Sequence, residues 1–138
     1  GNQIALLSLG TIGSNAAKAI AKAEEANISV AHYDMVFLKP IDEELLKEVA
    51  DQFKCIITVE EGIAKGGLGS AVLEFLAENG YRDRHVFRVA IDDQFVTHGS
   101  IQELHEITGI DEKGILKTIE QVHEIIQPHP VKSIELIR

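Results

Sequence analysis

Short apolar or β-branched runs alternate along the chain with stretches whose apolar positions recur at helical spacing, the pattern of an α/β layer fold. Ile4 to Leu9 is almost uninterruptedly apolar, as expected of a strand covered on both faces. Gly10 to Gly13 makes a turn, and Ser14 is placed to cap a helix through about Glu25. That helix carries Ala16, Ala17, Ala19, Ala21 and Ala23, small enough to pack close against a sheet. A second strand is expected over Ile28 to Tyr33. Asp42 can cap a helix on which Leu45, Leu46, Val49 and Phe53 share one face. The third strand reads Cys55 to Val59, followed by a glycine-rich loop from Gly62 to Gly69. A helix from about Ser70 to Asn79 then buries Val72, Phe75 and Leu76, with Gly80 suited to its C-terminal cap. Val86 to Ile91 is the fourth strand. Ser100-Ile101-Gln102-Glu103 forms a capping box for a short helix ending at Gly109. Asp111 caps the last helix, striped by Ile115, Ile119, Val122 and Ile126. Pro128 and Pro130 stop it, and Val131 to Arg138 alternates weakly, as a tail or a short extra strand.

The length of 138 residues fits one domain, with 1–126 as the folded unit and 127–138 as the tail. Thirteen Lys and Arg against 22 Asp and Glu leave a net charge of −9. That balance argues against nucleic acid and anionic membrane surfaces as partners. No run reaches the roughly 18 apolar residues of a membrane helix. The single cysteine, Cys55, lies in an apolar run and reads as a buried, inert thiol of a reducing compartment. The chain opens at Gly1 without Met, close to a strand, which reads as a piece of something longer.

Three features carry candidate chemistry. The segment Gly62-Ile63-Ala64-Lys65-Gly66-Gly67-Leu68-Gly69-Ser70 joins a strand to a helix, a place where backbone amides attract anions. It lacks the spacing of a phosphate loop, and Val72 stands where a dinucleotide fingerprint needs glycine or alanine. The glycines then shape a tight turn against a neighbouring surface, with an anion seat as the alternative. Glu60 and Glu61 end the third strand at the edge where α/β folds place ligands. Neighbours on a strand point to opposite faces, so a structural or interfacial role outweighs acid–base catalysis. Six histidines, at 32, 85, 98, 105, 123 and 129, include no helical metal pair. His98, in Phe95-Val96-Thr97-His98-Gly99, follows the fourth strand at the same edge. No nucleophile elbow or Cys/His arrangement appears.

Three stretches together resemble a known family. Lys39-Pro40-Ile41-Asp42 with its flanks, and Thr58-Val59-Glu60-Glu61-Gly62 followed by Gly66-Gly67-Leu68-Gly69-Ser70-Ala71-Val72-Leu73-Glu74, are similar to the C-terminal domain of transketolase-like, thiamine-diphosphate enzymes. The run Phe95-Val96-Thr97-His98-Gly99-Ser100, with Leu104 and Gly109-Ile110-Asp111, resembles the 1-deoxy-D-xylulose-5-phosphate synthase branch. The chain departs from that pattern at Val36, Ala90 and Asp92, and Val131 to Arg138 has no counterpart in it.

The resemblance implies a three-layer α/β/α sandwich of about five strands, mostly parallel with one antiparallel edge strand. It implies a cytoplasmic, homodimeric transferase that joins pyruvate to glyceraldehyde 3-phosphate with loss of carbon dioxide, feeding isoprenoid, thiamine and pyridoxal synthesis. Thiamine diphosphate and magnesium would be held by upstream catalytic domains, so this segment has no catalytic, cofactor or metal residue and is inactive alone. Its expected role is an interdomain edge carrying Glu60, Glu61, Gly66, Gly67, Gly69, Ser70 and His98. The alternatives are the partner-docking C-terminal domain of a 2-oxo acid dehydrogenase β-subunit and a free-standing phosphate or nucleotide module.

Overall fold

A computed structural model describes residues 3–35, 40–63, 67–91 and 110–127. Within them four strands form one parallel sheet: β1 (Ile4–Leu9), β2 (Val30–Met35), β3 (Cys55–Ile63) and β4 (His85–Ile91), in the order β2-β1-β3-β4. Four helices accompany it: α1 (Gly13–Glu25), α2 (Glu43–Gln52), α3 (Leu68–Glu78) and α4 (Glu112–Ile126). The expected three layers are present. On one face α1 and α4 bury Ala16, Ala19, Ile20, Ile115, Ile119 and Val122 against Ile4, Leu6, Ile57 and Val59. On the other, α2 and α3 bury Leu46, Val49, Val72, Phe75 and Leu76 against Ala5, Leu7 and Ile56. The stripes read from the sequence are the ones that pack. The four described strands are all parallel; the tail or short extra strand expected at 131–138 and the helix after Ser100 lie outside the described residues, as does His98.

Two caps form as expected. Asp42 accepts from the Leu45 amide at 3.0 Å, and Asp111 from the Gly114 amide at 2.8 Å. Gly80 takes φ +79° just beyond α3, and the Tyr81 amide reaches back to the Leu76 carbonyl at 2.9 Å.

Other boundaries differ, each for a local reason. Ser14 does not cap α1. The helix starts at Gly13 behind Ile12, and the Ser14 hydroxyl donates to the Thr11 carbonyl instead. At the other end of α1, Asn27 sits at φ +61°, its amide donating to Glu24 and that of Ile28 to Ala23. That turn occupies Ala26 to Ile28, so β2 begins at Val30 rather than Ile28. β3 does not end at Val59. Its pairing with β4 slips there and resumes at Ile63 opposite Ile91, so the strand carries through Glu60 and Glu61. Among the described residues no helix is long and apolar enough to cross a membrane.

Candidate functional site

In this strand order the chain reverses direction across the sheet between β1 and β3. Outside the carboxyl ends of those two strands lies the crevice where open parallel sheets place their sites. The loop after β1 and the far end of β3 form its two sides. They are joined by a hydrogen bond from Thr11 Oγ1 to Glu61 Oε1 at 2.9 Å.

Glu60 and Glu61 part company here. Glu61 is exposed and faces the β1 loop. Glu60 is buried, 3% exposed, beside the start of α3. Its Oε2 accepts a short hydrogen bond from the Leu68 amide, the first of the helix. The carboxylate thus takes the place of the missing side-chain cap, because the N-cap residue is Gly67. This is why α3 starts at Leu68, two residues before the expected Ser70. The second oxygen, Oε1, is buried without a hydrogen-bond partner. Burial raises the Glu60 pKa, opposed by the Leu68 amide and the positive charge of Arg88.

The glycines do not act alike. Gly67 has φ −93° and ψ −157°, extended backbone open to any residue. The tight turn expected of the glycines therefore needs no left-handed backbone at Gly67. Gly69, buried in the first turn of α3, is required for a different reason. A Cβ there would lie 2.8 Å from both Cγ and Cδ of Arg88, whose side chain crosses the helix at this point. Ser70 is half-buried in the same turn, whereas Gly66 lies outside the described residues.

On the opposite face of the sheet, Ser8, His32 and Asp34 converge. Ser8 is fully buried and donates to Asp34 Oδ1 at 3.2 Å, while its oxygen lies 2.8 Å from His32 Nε2. With the hydroxyl proton on Asp34, His32 Nε2–H donates to Ser8. Burial lowers the His32 pKa, opposed by Asp34. The order carboxylate–hydroxyl–imidazole is not that of a nucleophile triad, in which the imidazole takes the hydroxyl proton and the carboxylate orients the ring. The group ties β1 to β2. Sequence reading passed over it, although the signal was present: Ser8 interrupts an apolar strand, and parallel pairing sets it beside Asp34. Arg88 was also missed, since nothing local connects it to Gly69.

Cys55 is buried at the opposite, amino end of β3, and burial pushes its thiol pKa up, away from nucleophile chemistry. Among the described residues no group of three or more His, Cys, Asp or Glu is placed to hold a metal ion.

The parallel sheet in the order β2-β1-β3-β4, helices on both faces and a glycine turn opening α3 define a class. Residues 1–115 match the family described as "Transketolase, C-terminal domain", and the chain belongs to that family. Within it, the similarity is to 1-deoxy-D-xylulose-5-phosphate synthases. The one from Bacteroides fragilis is 50% identical over 96% of this chain. That from Parabacteroides distasonis is 51% identical over 88%. The chain spans only about a fifth of those relatives, 20% and 19% of their lengths. A solved split-gene transketolase, described as an inactive beta4 tetramer, superimposes with TM-score 0.81 at 31% identity, over 92% of this chain and 41% of its own. Transketolase from Pichia stipitis shares the fold with TM-score 0.63 at 15% identity, over 92% of this chain and 17% of its own.

Proposed function

We propose that this chain serves as the C-terminal domain of a 1-deoxy-D-xylulose-5-phosphate synthase, and that its part is to present an edge to the rest of the enzyme. The whole protein joins pyruvate to glyceraldehyde 3-phosphate with release of carbon dioxide, in the cytoplasm and as a homodimer. Thiamine diphosphate supplies the electron sink for that decarboxylation, and it is held with Mg²⁺ by domains outside this chain. Here the work is positioning. Glu60, Glu61, Gly67, Gly69 and Ser70, with Gly66 and His98, form the edge that meets the catalytic domains or the partner subunit.

One observation carries the choice of an edge over a ligand seat. The Glu60 carboxyl group already occupies the first amide of α3, placing its own oxygen where a bound phosphate would have to sit. A phosphate or nucleotide module built on this glycine segment is therefore disfavoured. The names of the relatives support the synthase over the 2-oxo acid dehydrogenase reading.

Calorimetric titration of the 138-residue chain with thiamine diphosphate and Mg²⁺ tests the assignment of cofactor binding elsewhere. No heat of binding is expected. A saturating heat at micromolar cofactor overturns it.

A further inference from the structure

An open groove of about 460 Å³ lies between α4 and β4, lined by Phe87, Thr118, Gln121, Val122, Glu124 and Ile125. Ile125 is 59% exposed, and it and Leu73 are the large apolar side chains exposed among the described residues. Beside the groove, β4 pairs with β3 on one side and with no described strand on the other. An open strand edge next to exposed apolar side chains is a surface that proteins cover.

We propose that the chain's own residues 131–138 occupy this groove, setting Val131, Ile134 and Leu136 against Phe87 and Ile125. Position favours this segment. Phe87 is the third residue of β4, and the other lining residues run from the middle of α4 to its next-to-last residue, so the groove lies toward the start of β4 and the end of α4. The chain leaves the described region at Gln127, two residues beyond Ile125. Residues 92–109, by contrast, depart from the last residue of β4 and return to the first turn of α4. Reach is ample. The eleven residues 128–138 can extend to about 36 Å, whereas the groove occupies about 12 Å of α4. Chemistry agrees as well. Pro128 and Pro130 bar the helix from continuing, and the segment mixes apolar residues with Lys132, Glu135 and Arg138, one cation in excess, opposite a groove that carries Glu124.

Disulfide trapping in the intact chain tests the proposal. Ile125→Cys is combined with Ile134→Cys, or with Leu136→Cys to allow for a shift in register. Ile125 lies outside the packed core, and the buried Cys55 with its raised pKa competes little. The control is Leu73→Cys with the same tail variants, since α3 lies on the other face of the sheet. Under mild oxidation at least one Ile125 pair should close within the chain about tenfold or more faster than its control, the effect of a raised local concentration. Equal rates for test and control pairs overturn the proposal, because a loose tail samples both faces. Dimers linked by a disulfide between the Ile125→Cys positions of two chains overturn it in favour of a second copy. Failure of both Ile125 pairs to close overturns it outright.

Discussion

Glu60 combines burial, one short hydrogen bond to the Leu68 amide and one carboxylate oxygen without a partner. Such a group holds its proton more tightly in the folded chain than in the unfolded one. Its contribution to stability is therefore fully present below its ordinary value of 4.5 and is lost as pH rises through the raised folded value. Glu60→Gln keeps the shape and removes the titration. As pH rises from 4.5 through the raised folded value, the unfolding free energy of the wild type should fall relative to the variant, as followed by urea denaturation. A difference that stays constant over that range rules out a buried, titrating Glu60. Asn27 offers a simpler case, since it holds φ +61° without being glycine. Asn27→Gly should stabilise by about 0.5–1 kcal/mol and Asn27→Val should destabilise by at least about as much, because a β-branched residue fits this conformation poorly. Thermal melts of the pair give the answer, and equal melting temperatures would remove the strain argument.

Elements were legible wherever the signal was local. The two aspartate caps, the stripe on α4 and the alanines of α1 each follow from residues within one or two turns. The ends of β2 and β3 were not, because one is set by a helix-closing turn and the other by a register slip against β4. The start of α3 was missed for the same reason. Its cap is Glu60, eight residues earlier on a strand, rather than a serine beside it. Gly69 shows the limit most clearly. Its role depends on Arg88 of β4, nineteen positions away, which crosses the first turn of α3 where any Cβ would collide. Gly69→Ala should therefore cost about 1–3 kcal/mol, the range of overpacked sites, although alanine suits helices better than glycine. In an Arg88→Ala background the same change should become neutral or stabilising. A double-mutant cycle by chemical denaturation measures this, and a cost that persists without Arg88 places the obstruction elsewhere.

At the level of the molecule, the sheet order determines what the acidic residues can do. Reversal between β1 and β3 opens a crevice, and Thr11 and Glu61 meet across it. The chain spans about a fifth of its relatives, and under the proposed function this edge is the one that packs against the remainder of the enzyme. Polar groups are buried in an interface only where they find partners across it. Glu61→Lys, made in the full-length enzyme, reverses the charge at this edge. It should lower activity or melting temperature there, while the isolated chain changes by less than about 0.5 kcal/mol, as exposed positions usually do. Thr11→Val serves as the control, because it removes the hydrogen bond to Glu61 without altering charge. If the charge is what the neighbouring domain or subunit reads, Thr11→Val should leave the full enzyme close to wild type while Glu61→Lys impairs it. Equal impairment by both assigns the effect to the shape of the β1 loop. A silent Glu61→Lys in the full enzyme means that the catalytic domains meet this one through a different surface.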